Sequence, residues 1–211
     1  YGVTWEPIST GIPDASVNVI KEDPTNESIL YVGTDNGLYV SLNSGVTWHN
    51  FQNNFPNVAV HDLVIQPNAK ELVVGTHGRS LYVANIAAIQ EYLSEAEKKE
   101  LYLFTVKSIK KNNSWGNSWS KWFTPNTPQL SIPFYVNTGD KIDITILTED
   151  GIELNALTVD AVSGFNEANY DVSFHEHGLK TYIGRHGDEA LKKAKNGKTY
   201  LPKGTYTVKI K

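Results

Sequence analysis

Cysteine and methionine are both absent from the 211 residues of the chain. Without cysteine there is no disulfide framework, no thiolate metal site and no thiol nucleophile. Apolar runs are short, and none approaches the roughly 18 residues that a membrane-spanning helix needs. The sequence therefore predicts neither a disulfide-stabilised scaffold nor a cysteine enzyme, and no membrane-spanning helix.

Arginine is scarce as well, since it occurs only as Arg79 and Arg185, and the net charge is −4. Proteins that bind nucleic acid hold its phosphates with clustered basic side chains. The lysines of residues 107–111 and 192–198 are grouped, but they fit solvated faces better than a docking surface. We therefore expect no nucleic-acid partner, and no motif indicates a cofactor.

What the sequence does contain is an internal repeat with a spacing of 43 residues. Residues 2–5, Gly-Val-Thr-Trp, recur at 45–48, and residues 38–40, Leu-Tyr-Val, recur at 81–83. A period of this size is typical of one four-stranded blade of a β-propeller. Because the sequence opens within a repeat and lacks methionine, we expect a part of a longer protein, with the remaining blades of the same polypeptide as its partner.

Both copies of the repeat predict short antiparallel strands. The predicted strands are residues 17–21, 29–34, 37–42 and 46–51 in the first copy, and 60–65, 71–76 and 80–86 in the second. Asn36-Gly37 is a strong hairpin signal. The second copy has no fourth strand, so an exposed or partner-covered sheet edge is expected at 80–86. Apolar spacing over 86–93 and a capping-box pattern at 94–97 predict a short helical connector.

Beyond residue 100 the repeat stops and a different β pattern follows. The predicted strands there are residues 101–106, 131–136, 141–148, 153–159, 170–174 and 205–211, with two helical turns possible at 188–195. Strands at this spacing favour an immunoglobulin-like sandwich. The expected fold class is all-β, with a partial β-propeller of about two blades at 1–86, a helical connector at 87–100 and an immunoglobulin-like β-sandwich at 101–211.

Residues 41–48 resemble the Asp-box of the bacterial neuraminidase repeat (BNR repeat), whose pattern is Ser-x-Asp-x-Gly-x-Thr-Trp. The residues that match it are Ser41, Asn43, Gly45 and Trp48, with Gly2 and Trp5 in the partial first copy. Asn43 replaces the usual aspartate and keeps the acceptor without the charge. The resemblance implies a folding role, with a side-chain acceptor in the turn, a positive-φ glycine and a packed indole. Trp5 and Trp48 are accordingly expected to have equivalent surroundings in neighbouring sheets.

The resemblance extends to large secreted BNR propeller proteins related to the sortilin (VPS10) propellers. Residues 73–83 are similar to their closing blade, and several segments between 103 and 209 to their C-terminal sandwich, whereas 178–198 depart from it. The resemblance implies a secreted or cell-surface protein whose present part is non-catalytic and acts in glycan or protein binding, or as a scaffold. The alternative is the structural C-terminal part of a glycoside hydrolase with its catalytic residues elsewhere. Two arginines cannot form the three-arginine clamp of sialidases resembling this family.

Two groups of residues are candidates for ligand binding. His77 and Arg79 follow the point where the second repeat gains a residue, so a rim hairpin that binds ligand is one interpretation, and an interdomain anchor is the other. Trp115, Trp119 and Trp122 lie among small polar residues. Such indoles can stack on sugar rings or anchor a protein partner, and the alternative is packing between the propeller and the sandwich.

A metal site is a weaker possibility. His175 and His177 are predicted to lie on one face of a strand, where His186 could join them as a third zinc ligand. Structural zinc sites usually hold four ligands, so we favour surface histidines. The oxygen-rich residues 160–171 lack the regular spacing of a calcium loop. No metal is therefore expected.

Overall fold

The computed structural model describes residues 2–51, 55–92, 99–120, 122–189 and 191–211. Its regular structure is mostly antiparallel β-sheet, which confirms the all-β class. The chain divides into two compact units, Tyr1–Tyr92 and Leu93–Lys211. Each unit has its own hydrophobic core.

The first unit contains a four-stranded sheet, sheet A, in the order β1-β2-β3-β4. Its strands are β1 (Val17–Asp23), β2 (Asn26–Thr34), β3 (Gly37–Ser41) and β4 (His49–Asn50). The β2–β3 hairpin closes where the Asn-Gly pair predicts it, with Thr34 opposite Gly37. The fourth strand is much shorter than expected, because residues 42–48 form a turn instead.

Sheet B has three strands in the order β5-β6-β7. They are β5 (Val60–Gln66), β6 (Glu71–Thr76) and β7 (Leu81–Asn85). In the described part of the chain, β7 pairs with β6 alone, so the sheet edge expected at 80–86 is present. The chain then enters helix α1 (Ala87–Glu91), whereas the predicted capping box at 94–97 lies outside the described residues.

The two faces of sheet A have different neighbours, because side chains alternate along a strand. One face, which we call the front, packs against sheet B in a shared core formed by Ile29, Tyr31, Leu38 and Val40 of sheet A with Val60, Leu63, Leu72 and Val74 of sheet B. The opposite face, the back, carries Val32, Tyr39 and Trp48, with Ile12 packed against them. Sheet B therefore lies in front of sheet A, and residues near 12 lie behind it.

Trp5 and Trp48 do not have equivalent surroundings, which contradicts the expectation from the repeat. The Trp48 side chain is 8% exposed and packs on the back of sheet A, whereas Trp5 is 88% exposed. No strand forms in residues 2–16, all of which the structure describes. Trp5 therefore has no sheet of its own to pack against, although its tetrapeptide matches that of Trp48.

The second unit is built from two three-stranded antiparallel sheets around one core. Its strands are β8 (Leu101–Leu103), β9 (Leu130–Val136), β10 (Lys141–Thr148), β11 (Glu153–Asp160), β12 (Gly164–Tyr170) and β13 (Tyr206–Ile210). The sheet orders are β12-β9-β8 and β11-β10-β13. The alternation predicted in β10 is confirmed, since Ile142, Ile144 and Ile146 are all buried.

Two predicted elements of the second unit are wrong. The strand expected at 170–174 is replaced by β12, which ends at Tyr170, and Val172 then takes a φ of +61°. The helix expected at 188–195 lies instead at α2 (Glu176–His186). This helix starts against β11, where a Cβ on Gly178 would lie 2.4 Å from the Leu154 carbonyl oxygen. Only glycine fits that approach.

Candidate functional site

The turn that joins β3 to β4 is held by side-chain hydrogen bonds. The Ser41 hydroxyl accepts from the backbone N–H of Gly45 at 2.8 Å, and Asn43 Oδ1 accepts from the N–H of Thr47 at 2.9 Å. Gly45 has a φ of +87°, which favours glycine. Trp48 follows the turn and donates from its indole nitrogen to the Ile8 carbonyl at 2.6 Å. All these contacts are internal to the first unit and shape its sheet.

Gly2 has a different setting from its counterpart Gly45. Its φ is +75°, and a Cβ there would lie 3.3 Å from the ring of Trp5. Gly2 thus lies beside the ring of Trp5, which is nevertheless 88% exposed.

His77 and Arg79 lie in the β6–β7 hairpin, where residues 77–80 are all exposed. The hairpin is tightened by the Thr76 hydroxyl, which donates to the Ser80 carbonyl at 2.6 Å. The ring of His77 lies 5.4 Å from the ring of His61, a contact that no sequence pattern predicts. Arg79 has no hydrogen-bond or ion-pair partner among the described residues.

Trp115 belongs to the core of the second unit, with 7% of its side chain exposed. Its ring lies 5.8 Å from that of Tyr200, and the Lys111 ammonium lies 5.0 Å from its centroid. The same ammonium donates to the Leu201 carbonyl at 2.7 Å, and burial lowers the pKa of Lys111. Trp115 is therefore a structural support rather than an exposed contact residue.

Residue 116 fixes the base of the Trp-rich segment. Gly116 has a φ of +71°, and a Cβ there would lie 2.5 Å from the Ala194 methyl. Its N–H donates to the Asn126 carbonyl at 2.8 Å, and the N–H of Asn126 donates to the Asn117 carbonyl at 3.0 Å. These two bonds hold the two ends of the segment together, and we call residues 118–120 and 122–125 the aromatic loop.

The aromatic loop presents three large rings to solvent. Trp119 is 95% exposed, Trp122 83% and Phe123 61%. The rings of Trp119 and Phe123 lie 6.3 Å apart and are inclined at 59°. Single exposed apolar side chains are ordinary, but several large aromatics close together on a soluble domain are typical of binding surfaces. Of the three candidate indoles, the structure thus separates Trp115 from Trp119 and Trp122.

The three histidines considered as zinc ligands do not meet at one point, although the rings of His175 and His177 lie 6.2 Å apart. His175 is the N-cap of α2, where its Nδ1 accepts from the Gly178 N–H at 2.7 Å, so the strand-face arrangement with His177 is wrong. His186 lies at the other end of the helix, where its ring contacts that of Tyr182 with centroids 4.6 Å apart. His186 lies nine positions after His177 in the helix, which corresponds to a rise of about 14 Å. No group of three potential ligands is found within the described ranges.

A depression of about 310 Å³ in the first unit contains none of the candidate residues. It is lined by Gly37, Asn50, Phe55, Pro56 and Asn57. These side chains include no acid, base or nucleophile that could act on a substrate.

Comparisons of the chain with protein-family models, with curated proteins and with solved structures gave no match. Within the part of the chain that is described, no helix has the length and apolarity needed to cross a membrane. The functional interpretation therefore depends on the geometry of the residues themselves.

Proposed function

We propose that this chain is a non-catalytic, ligand-binding part of a secreted or cell-surface β-propeller protein. In this proposal the first unit is two blades of the propeller, and the second is an immunoglobulin-like sandwich that carries the ligand contacts. The observation that carries the binding role is the exposure of Trp119 and Trp122 on a loop whose base is fixed.

The packing of the first unit supports its place in a repeat array. Leu72 and Val74 pair with Ala84 and Tyr82 of β7, whose repeat counterparts Ser41 and Tyr39 pair with Leu30 and Val32. Leu72 and Val74 therefore occupy, in sheet B, the back positions that Leu30 and Val32 occupy in sheet A. The front of sheet A therefore meets the back of sheet B, which is the front-to-back order of successive propeller blades. In such an array a further blade, from the remainder of the polypeptide, would lie beyond sheet B.

A glycan is the ligand class that suits the aromatic loop best. Indole rings present flat apolar faces that stack on the C–H faces of sugar rings, and their N–H groups are donors for hydroxyls. The neighbours of Trp119 are Ser118 and Ser120, and Asn117 and Asn126 lie at the loop base. The hydroxyls of Ser118 and Ser120 suit a polyhydroxyl ligand, and Lys121, which precedes Trp122 in the sequence, adds one cationic donor to the segment. The amides of Asn117 and Asn126 are held by internal hydrogen bonds and stabilise the loop base.

The test is a titration of the intact chain with a panel of soluble polysaccharides, xyloglucan among them, followed by tryptophan fluorescence. We expect at least one glycan to quench the emission, and Trp119→Ala together with Trp122→Ala to weaken its binding by about tenfold or more. Trp5→Ala is the matched control, because it removes an exposed indole from the other unit and leaves binding unchanged. Absence of quenching across the panel, or equal binding by the double variant, would overturn the proposal.

A further inference from the structure

A short hairpin of the second unit carries a group of lysines. Lys193 pairs with Thr199 in an antiparallel bridge, and the N–H of Ala194 donates to the Lys198 carbonyl at 2.9 Å. Residues 192–199, which we call the lysine hairpin, contain four lysines and no acidic residue. The four are Lys192, Lys193, Lys195 and Lys198. The sequence alone predicts a solvated face for them, so the contacts of the hairpin decide whether they have a further role.

The lysine hairpin is packed on the base of the aromatic loop. The N–H of Asn196 donates to the Gly116 carbonyl at 3.0 Å. The N–H of Lys195 donates to Asn117 Oδ1 at 3.3 Å. Trp119 lies two residues after Asn117, so its Cα is within about 7 Å of the Cα of Asn117. The segment that carries the lysines and the segment that carries the exposed indoles are therefore neighbours in the second unit.

Three of the four lysines are exposed, and their ammonium groups have no hydrogen-bond or ion-pair partner among the described residues. The three are Lys192, Lys193 and Lys195. The ammonium of Lys198 differs, because it pairs with the carboxylate of Asp171. The acidic residues 188–189 precede the hairpin, but they are exposed and form no ion pair with it in the described part of the chain. The lysine hairpin thus presents a local positive charge on a chain whose net charge is −4.

This combination of side chains favours a ligand that is both a sugar and an anion. The exposed indoles of Trp119 and Trp122 suit sugar rings, and ammonium groups without a counter-charge attract carboxylate or sulfate groups. A neutral glycan leaves the lysines without a partner. An anionic lipid surface would satisfy the lysines, but it would take the hydroxyls of Ser118 and Ser120 out of water without a partner, whereas a sugar supplies one.

We infer that the ligand of the aromatic loop is an anionic polysaccharide, whose carboxylate or sulfate groups lie against the lysine hairpin while its sugar rings stack on Trp119 and Trp122. The inference rests on the proposed glycan-binding function and names the class of glycan. Charge contacts at an exposed surface are screened by salt, whereas the stacking of apolar faces is not. Binding is therefore expected to weaken as the ionic strength rises, without being abolished.

Matched pairs of soluble polysaccharides test the inference, because the two members of each pair share a backbone and differ in charge. The pairs are polygalacturonate with its methyl ester, carboxymethyl cellulose with hydroxyethyl cellulose, and dextran sulfate with dextran. Tryptophan fluorescence measures the Kd of the intact chain at about 0.1 M and about 1 M salt, where the screening length is about 10 Å and about 3 Å. We expect the charged member of at least one pair to bind about tenfold more tightly than its neutral counterpart at the lower salt, and the difference to shrink at the higher salt.

Two double variants locate the charge contact. Lys193→Gln/Lys195→Gln removes two positive charges beside the aromatic loop. It is expected to weaken binding of the charged member by about tenfold and to leave binding of the neutral member unchanged. Lys209→Gln/Lys211→Gln is the matched control, since it removes the same charge from exposed positions on β13 and directly after it, and it is expected to bind as the natural chain does. Circular dichroism of each variant confirms that it is folded.

The outcomes separate this inference from the proposed function. Equal binding of the two members of every pair would overturn the inference and leave glycan binding standing. So would a preference for the charged member that Lys193→Gln/Lys195→Gln leaves intact, or that both double variants reduce equally. If no polysaccharide binds, charged or neutral, the inference and the proposed function fail together. Vesicles of phosphatidylserine and phosphatidylcholine are titrated in parallel, and binding to them without binding to any polysaccharide would identify a membrane surface as the ligand and contradict both.

Discussion

The indole nitrogen of Trp48 donates a hydrogen bond of 2.6 Å to the carbonyl of Ile8, which lies 40 residues earlier. This bond fixes an otherwise irregular segment on the back of sheet A. A Cβ on Gly45 would lie 2.9 Å from the side chain of Ile8, so the turn before Trp48 also fits closely around that residue. The turn residues, the indole and the incoming chain thus form one structural unit.

Replacing Trp48 with phenylalanine keeps an aromatic ring but removes this donor. The carbonyl of Ile8 loses its partner in a partly buried place, so we expect the first unit to lose about 1 to 2 kcal/mol of stability. Urea unfolding measures the effect. Trp5→Phe serves as the control and is expected to leave stability unchanged, because the Trp5 side chain is exposed. Equal losses of stability in both variants would contradict the stabilising role of the hydrogen bond from Trp48 to Ile8.

The carboxylate of Asp23 predicts an acid sensitivity of the first unit. It is buried and accepts hydrogen bonds from Thr25, Tyr31 and Gln90, the last of which belongs to α1. Burial by itself would raise the pKa of Asp23, but these hydrogen bonds outweigh it and the pKa is lowered from 3.8. A lowered folded-state pKa stabilises the fold above the unfolded value, and the contribution is lost as pH falls toward the folded value.

We therefore expect the stability of the first unit to fall as pH drops below about 4. Asp23→Asn should be less stable at neutral pH and should show a flatter pH profile. The profile is measured by urea unfolding across the acid range. Asp14→Asn, which changes an exposed carboxylate of the same unit, should keep the natural profile. If the stability of Asp23→Asn changes with pH as that of the natural chain does, the Asp23 carboxylate is not the cause of the acid sensitivity.

The imidazole cap of α2 gives a third prediction. His175 Nδ1 accepts from the Gly178 N–H, so His175→Ala leaves that donor unsatisfied and is expected to cost about 1 kcal/mol. His175→Asn restores a side-chain acceptor at the N-cap and should recover most of the loss. Amide hydrogen exchange of Gly178 reports the cap locally. If the Gly178 amide exchanges as fast in His175→Asn as in His175→Ala, the stability loss comes from the broken contact between His175 and Glu153 and not from the lost cap.

Substitutions at two glycines of the second unit distinguish the cost of backbone strain from the cost of steric overlap. Gly116 and Gly151 both have positive φ, but a Cβ on Gly151 meets nothing within 4 Å, whereas one on Gly116 overlaps Ala194 and Tyr200. Gly151→Ala is expected to cost about 1 kcal/mol and Gly116→Ala about 3 kcal/mol. Thermal unfolding of the second unit measures both. Similar losses would mean that the base of the aromatic loop is not closely packed.

Where local sequence carries the signal, the prediction succeeded. Alternation in β10 and the turn chemistry of the β2–β3 hairpin both act within a few residues. The strand β12 was missed because Asn166, Glu167 and Asn169 have low strand propensity, yet β12 pairs with β9 along its whole length. Pairing with a distant strand overrides that local preference.

Local sequence also fails to predict the helix α2. Gly178 and Gly184 lower its helix propensity, and its start depends on contacts with β11, which is distant in sequence.

The candidate site was predictable only in part. Trp115 and Trp119 are four residues apart and have similar neighbours in the sequence. Only Trp115 packs into the core, against residues distant in sequence such as Tyr200. Likewise, Trp5 and Trp48 share a tetrapeptide but differ in whether a sheet is present to receive the indole.

Fluorine NMR of the chain labelled with 5-fluorotryptophan observes all five indoles in one spectrum. Single tryptophan-to-phenylalanine variants assign the resonances, and the glycan found to bind in the panel is then titrated. We predict that the resonances of Trp119 and Trp122 shift with saturation while those of Trp48 and Trp115 stay in place. Saturable shifts confined to Trp5, Trp48 or Trp115 would show that the ligand binds elsewhere and would contradict the role of the aromatic loop.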